Sequence, residues 1–187
     1  MLIVGLGNPG SEYESTRHNA GFLAVDSLAS YFDASWQKNS KLSSFIATSI
    51  YKGKKLIFLK PTTYMNESGR AVQAVKSYYK TDISDIVVLH DELDLDCGDG
   101  RYKLGGGSAG HNGIKSIDQE IGNLYHRIRI GIGKPPHKDM VSDFVLSDFA
   151  NSEKTIINNV IAVVTDNFKL FLDKDVDGFV SSLRGVK

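Results

Sequence analysis

Residues 1–10 read MLIVGLGNPG. The apolar run Leu2 to Val4 breaks into a turn rich in glycine, the signature of a buried strand ending at a constrained loop. Gly5, Gly7 and Gly10 fall on the pattern G-x-G-x-x-G, which in α/β proteins marks a dinucleotide-binding turn. That turn needs its third glycine to lead straight into a helix, and an acidic residue about 20 positions on to end a second strand. Here the polar stretch SEYESTRHN (11–19) comes first, and Asp33, at nearly the right distance, sits at the end of a helical pattern. The turn instead places the Asn8 side chain at the C-terminal edge of the strand, where open α/β sheets keep their sites. A turn asparagine making only local hydrogen bonds is the competing reading.

Working outward, Phe22, Val25, Leu28, Ala29 and Phe32 predict a helix running to about residues 31–33. SSFIATSIY (43–51) and KKLIFLK (54–60) predict a hairpin turning at Lys52-Gly53. Val72, Val75 and Tyr79 place a helix over roughly 67–80, and DIVVLH (85–90) is an apolar strand ending at His90. RYKL (101–104) and HRIRIGIG (126–133) are alternating strands around a helix carrying Ile114, Ile117 and Ile121; KPPHKD (134–139) is a loop. Ile157, Val160, Ile161, Val164, Phe168, Phe171 and Leu172 outline a long amphipathic helix. The order predicts a single α/β domain over residues 1–187, a mixed twisted sheet with helices on both faces.

Composition narrows the function classes. The 187 residues suffice for a core without disulfides or metals. The single cysteine, Cys97, has no partner in the chain, which fits a reducing cytoplasm. No charged leader with an apolar stretch opens the chain, and no apolar run approaches the ~18 residues of a membrane span. Acids and bases number 22 each, so any nucleic-acid contact must come from a local basic face.

The chemistry-bearing residues gather at element ends, where loops build sites. His18 lies in TRHNAG (16–21), Asp91 follows IVVLH (86–90), Asn66 lies in TTYMNESG (62–69), and His111 and Asn112 lie in GGGSAGHNG (105–113). A histidine near neutral pKa beside a carboxylate that fixes its tautomer is the minimum kit for general-base hydrolysis. Asparagines such as Asn8, Asn66 and Asn112 both donate and accept, which suits a peptide-like group, a water or a developing oxyanion. No nucleophile elbow or catalytic-cysteine context is present, which favours water as the nucleophile. Alternatives stand beside these residues: His18 capping its helix or pairing with Glu12 or Glu14, Asn112 as a helix N-cap, and Asp91 as one of several solvated acids after the strand, the reading taken for Glu92, Asp94 and Asp96. A metal centre would take His18, His90, Asp91 and His111, without the usual ligand spacing to support it.

The glycines between 105 and 113 imply that a ligand or another backbone approaches closely, and their place before a helix makes an anion site plausible. Arg101, Lys103, Lys115, Arg127, Arg129, Lys134 and Lys138 concentrate positive charge nearby. Arg101 and Lys103 share a strand face, as do Arg127 and Arg129. Beside the glycine loop this is a candidate phosphate track, with an ordinary solvated face as the alternative. Tyr13 and Tyr64 can stack on a base or line a cleft.

Four ordered blocks, IVGLGNPGSEYESTRHNAGF, LKPTTYMNESGRAV, VVLHDELDLDCGDGRYKLGGGSAGHNGIKSI and HRIRIGIGKP, spanning most of residues 3–135, resemble the bacterial-type peptidyl-tRNA hydrolase family. The resemblance implies an esterase that frees tRNA from peptidyl-tRNA released prematurely by ribosomes, built as a monomeric, metal-independent α/β domain with no cofactor and no obligate protein partner. On this resemblance His18 is the general base, Asp91 orients it, and Asn8 selects blocked over free aminoacyl substrates. Tyr13, Tyr64, Asn66 and Asn112 match substrate-contacting positions, Met65 and His111 line the same cleft, and Lys103 and Arg129 match positions that clamp the tRNA 5′ phosphate. The family commonly carries prolines where this chain has Asp96 and Cys97. A non-catalytic RNA-binding module is the rival reading.

Overall fold

The computed structural model describes residues 1–184; the last three residues of the expected domain lie outside the described residues. One seven-stranded sheet organises the chain. Its strands are β1 (Leu2–Gly5), β2 (Gln37–Asn39), β3 (Ser44–Tyr51), β4 (Lys54–Pro61), β5 (Ile86–Glu92), β6 (Gly100–Leu104) and β7 (His126–Gly131), in spatial order β2-β3-β4-β1-β5-β7-β6. The inner strands β4, β1, β5 and β7 run parallel, and β2, β3 and β6 pair antiparallel at the margins. This is the expected mixed sheet.

Strand alternation feeds two cores. Ile3, Val87, Leu89, Phe58, Ile128 and Ile130 pack under α1 (Ala20–Tyr31) and α5 (Asn151–Leu172). Leu2, Val4, Ile57, Val88 and Ile86 pack under α2 (Ser68–Tyr79) and α3 (Asn112–Ile121). Helices therefore cover both faces, as parallel strands require. The β3–β4 hairpin turns at Lys52-Gly53 with positive φ at both residues (48° and 76°), the backbone that a two-residue hairpin favours.

Several boundaries differ from expectation. β5 does not stop at His90 but runs through Asp91 to Glu92, both paired with β7. Two short helices, α4 (Val141–Leu146) and α6 (Val176–Leu183), flank the long one, and β2 adds an edge. α5 begins at Asn151 and is, by length and composition, apolar enough to cross a membrane, contrary to the sequence expectation. Its Ile157, Val160, Val164, Phe168 and Phe171 are buried against the sheet and α1, which accounts for that apolarity as core packing. The segment holding Asp96 and Cys97 is tied down without prolines: the amides of Gly98 and Gly133 donate to the carbonyls of Gly131 and Leu95, and Gly131 donates to Asp99.

Candidate active site

The site forms where β1 and β5, neighbours in the sheet, both end. Beyond β1 the chain turns through Asn8, and a tight turn at Arg17–Asn19 leads into α1. Asn19 clamps the first loop to this turn. Its Oδ1 accepts from the Asn8 amide at 2.8 Å, and its Nδ2 donates to the Asn8 carbonyl at 3.0 Å. The Asn8 side chain in turn accepts the Met65 amide at 2.8 Å through Oδ1. That bond fixes which way the Asn8 amide points, and leaves its Nδ2 as an uncommitted donor among the described residues.

His18, 8% exposed, donates through Nδ1 to Asp91, 2% exposed, lying 3.0 Å from either carboxylate oxygen. It neither caps α1 nor pairs with Glu12 or Glu14. A second imidazole meets the same carboxylate. His111 Nδ1 accepts the amides of Gly113 and Ile114 at 3.1 and 3.3 Å, capping α3, so its proton sits on Nε2 and is donated to Asp91 Oδ1 at 2.9 Å. The helix end thereby sets the tautomer of His111. Asn112, weighed as that cap, is instead the first helical residue and is exposed. The amides of an anion site at α3 are likewise partly taken by the imidazole.

With both donors aimed at Asp91, His18 Nε2 has no partner among the described residues and is not sealed from solvent. Burial of the ring opposes its protonation, but the charge and hydrogen bond of Asp91 outweigh burial and raise its pKa above the usual histidine value. Burial pushes the Asp91 carboxyl up, and its two histidine partners more than reverse this, holding it well below the usual carboxylate range. His90 lies beneath. Its Nδ1 donates to the Asp91 carbonyl at 2.6 Å, its ring stands edge-on to His111 at 4.9 Å, and burial pushes its pKa down to about 3.

His18, Asp91 and His111 present possible metal-ligand atoms within 4.8 Å of one another. Those atoms already face each other as donors and acceptor. A ligating imidazole nitrogen must be unprotonated, and the α3 amides commit His111 Nε2 to carrying its proton. The donor set suits a hydrogen-bonded relay better than an ion.

The remaining expected residues divide. Met65 is buried against Gly113, whose lack of a side chain admits its sulfur. Tyr64, 57% exposed, and Asn66 flank Met65, and neither they nor Asn112 has a side-chain partner among the described residues. Tyr13 sits half-buried on the turn at 11–13. Lys103 and Arg129 lie on β6 and β7. Pairing sets Lys103 opposite Arg127 and Arg101 opposite Arg129, so all four project from the α3 face of the sheet. Arg129 reaches Glu92 at 3.4 Å, one residue from Asp91.

Two members of these groups behave otherwise than expected. Arg127 is buried, donates to the carbonyls of Gly106 and Gly107 and to Asp118, and stacks on Tyr125. It pins the glycine loop and is withdrawn from the phosphate track. Glu92 is buried and bonded to Arg129 and the Asp94 amide, so it is no solvated acid.

Sequence reasoning missed Asn19 and Arg17. The Arg17 guanidinium donates to the carbonyls of Ser147 and Asp148 and to Glu153, under the ring of Phe144, lashing the His18 turn to the start of α5. Both flank His18, and that adjacency was a usable signal; what Arg17 holds could not be read, because its partners lie far along the chain. Size does not mark the site either. The larger cavity, about 610 Å³, lies at the opposite edge of the sheet, among Lys54, Lys55, Tyr79 and Asp85.

A mixed α/β sheet whose parallel strands end at a histidine–carboxylate pair, with an uncommitted imidazole nitrogen and a fixed asparagine beside it, places the chain among α/β proteins with a site at the C-terminal edge of the sheet. The profile of the family described as peptidyl-tRNA hydrolase matches residues 2–187. A peptidyl-tRNA hydrolase of Rickettsia bellii (strain RML369-C) is 50% identical, covering 98% of this chain and 99% of the relative; that of Rickettsia africae (strain ESF-5) is 46% identical over the same shares. The crystal structure of peptidyl-tRNA hydrolase from Acinetobacter baumannii superposes with a TM-score of 0.96 at 39% identity, covering 100% of this chain and 95% of that one. The chain belongs to the peptidyl-tRNA hydrolase family.

Proposed function

We propose that the chain hydrolyses the ester between peptide and tRNA in peptidyl-tRNA, with His18 as the general base. The observation that carries this reading is the free Nε2 of His18, left as the proton acceptor because Nδ1 is held by Asp91. A water placed at Nε2 loses its proton as it attacks the ester carbonyl. The proton passes to the imidazole, and the 3′ ribose oxygen leaves and is protonated in turn. Asp91 stabilises the imidazolium that forms, while His111, fixed by α3, holds the carboxylate in place. The Nδ2 of Asn8 is an available donor to a peptide carbonyl or to the developing oxyanion. A blocked amino acid offers an amide to this cradle. A free amine, often protonated at neutral pH, offers no acceptor, and an unpaired polar partner costs ~1–3 kcal/mol.

Tyr13, Tyr64, Met65, Asn66 and Asn112 complete the substrate cleft, and Lys103 and Arg129 meet the tRNA acceptor stem and its 5′ phosphate. The reading describes a cytoplasmic monomer that needs no metal or other cofactor. Incubation with N-acetyl-aminoacyl-tRNA tests it. Free tRNA appears, unblocked aminoacyl-tRNA stays intact, and chelation leaves the rate unchanged. His18→Ala lowers turnover by ~10²-fold or more while leaving salt-sensitive tRNA binding in place. Absence of release by the parent chain refutes the hydrolase, and loss of activity on chelation restores the metal centre.

A further inference from the structure

Asn8 and Asn19 also line a second cavity, of about 330 Å³, which the mechanism leaves unused. Its walls are Pro9, Phe22, Leu23, Phe45 and Pro61, and Glu14 and the Asp26–Lys60 ion pair complete it. The volume is at the lower end of ligand pockets, and an apolar floor of Phe22, Leu23, Phe45 and two prolines is rimmed by five polar or charged side chains. Phe45, 36% exposed, presents its ring there from the start of β3.

The order of strands places this cavity relative to the chemistry. Along the sheet, β3 and β4 carry the cavity wall, β1 and β5 carry Asn8 and Asp91, and β7 and β6 carry Arg129 and Lys103. The reacting pair thus lies between an apolar pocket on the α1 face and a basic surface on the α3 face. Charge separates the two flanks as well. Glu14 and Asp26 line the pocket, with Lys60 committed to Asp26 at 2.6 Å, and the exposed Lys38 stands opposite Phe45 on β2. A polyanion is drawn to the basic strands β6 and β7 in preference to this rim of mixed charge. An ester has its acyl chain on one side and its alcohol on the other, so the peptide and the RNA leave the reacting carbon in different directions.

We infer that the pocket between α1 and the β3–β4 hairpin receives an apolar side chain of the peptide, that of the residue preceding the one esterified to tRNA. This rests on the hydrolase reading above and extends it to peptide specificity. Asn8, which lines both spaces, holds the intervening amide and sets the direction of the chain. Phe45 and Leu23 then become residues that choose among peptides without touching the reacting atoms.

Two substrates on the same tRNA test it, N-acetyl-leucyl- and N-acetyl-glycyl-aminoacyl-tRNA, differing only at the preceding residue. The parent chain prefers the leucyl substrate in kcat/KM by about tenfold, the scale of one apolar side chain in a half-open pocket. Phe45→Ala brings the ratio to about two, and Phe45→Leu restores most of it. Because both rates are read on one preparation, any misfolded fraction cancels from the ratio. A parent ratio near one, or a ratio that Phe45→Ala leaves unchanged, overturns the pocket assignment while the hydrolase stands. Failure of the parent chain to cleave either substrate overturns both.

Discussion

Replacing Asp91 by asparagine keeps the shape of the buried centre while removing one charge and one acceptor. In the parent chain His18 Nδ1 lies 3.0 Å from both carboxylate oxygens, and His111 Nε2 lies 2.9 Å from one of them. His111 cannot reverse its role, since its Nδ1 accepts from the α3 amides. The one amide oxygen therefore goes to His111, and the amide NH2 faces His18, which meets it only as an acceptor at Nδ1. The ring proton then sits on Nε2, where a base is needed. Losing a charge-assisted hydrogen bond costs ~1.5–3 kcal/mol, roughly 10- to 150-fold in rate at ~1.36 kcal/mol per decade. The wrong tautomer extends the loss toward the upper part of the ~10²–10⁴-fold range of general-base catalysis. We expect kcat for N-acetyl-aminoacyl-tRNA to fall by ~10³-fold with little change in KM. The acid limb of kcat/KM should also move to lower pH, because Asp91 is what holds the His18 pKa above its usual value against burial. Release of tRNA is measured from about pH 5 to about pH 9, a range that brackets an ordinary histidine. A kcat within about tenfold of the parent, or an acid limb that stays in place, refutes the tautomer argument.

Asn8→Asp keeps an acceptor for the Met65 amide but exchanges the free Nδ2 donor for charge. The denaturation midpoint should hold while kcat/KM on blocked substrate falls by ~10-fold or more, and unchanged kinetics would remove the donor role. Arg127→Ala leaves Asp118 without its buried partner and should lower stability by ~3 kcal/mol in urea titration. Lys103→Ala should leave the midpoint alone and reduce the salt slope of tRNA binding by about 1; the reverse pattern would return Arg127 to the phosphate track. His90 is kept neutral by burial, with a pKa of about 3, so between ~6.5 and that value the unfolded chain binds the extra proton, and stability falls as pH drops, by ~2 kcal/mol at pH 5. His126, also lowered by burial, adds to this slope, whereas His18, with its raised pKa, loses its contribution only as pH rises; His90→Phe should flatten the slope below pH ~6.5, and an unchanged slope would clear His90.

What the sequence revealed followed from periodicity. The alternation in β3, β4 and β7 and the apolar stripe of α5 are repeats long enough to read, and each element was placed within a few residues. β2 and α4 are too short to carry a period. The end of β5 was misplaced because HDE breaks the apolar run, although these residues are buried like the apolar ones before them. Residue types singled out His18 and Asp91, which the fold brings together, but the choice between His111 and Asn112 as cap depends on which neighbouring side chain the backbone turns toward the helix end. Arg127 falls on the candidate phosphate track by sequence because strand alternation gives a face and not what covers it. Arg17 was invisible for a related reason: the groups that hold it, at residues 147–153, come together with it only in the folded chain.

The glycines that first suggested a nucleotide have a different physical cause. A Cβ at Gly5 would stand 2.4 Å from both the Gly21 carbonyl oxygen and Val25, and one at Gly21 would stand 2.3 Å from the Leu89 carbonyl oxygen. One at Gly7 would meet the Phe22 ring at 2.5 Å. Within the turn only Gly10 adopts a positive φ; Gly5 and Gly7 are required by close approach. Gly5, Gly7 and Gly21 let the start of α1 rest directly on the ends of β1 and β5. His18 precedes that helix by one turn, and Asp91 lies two residues past Leu89. The seating of α1 is therefore what brings an imidazole on one loop within 3.0 Å of a carboxylate on another strand. A methyl group at Gly21 has only backbone to displace, and moving that backbone separates the pair. The same contact brings His18 to Asp91 and sets Asn8, through Asn19, on the adjoining loop.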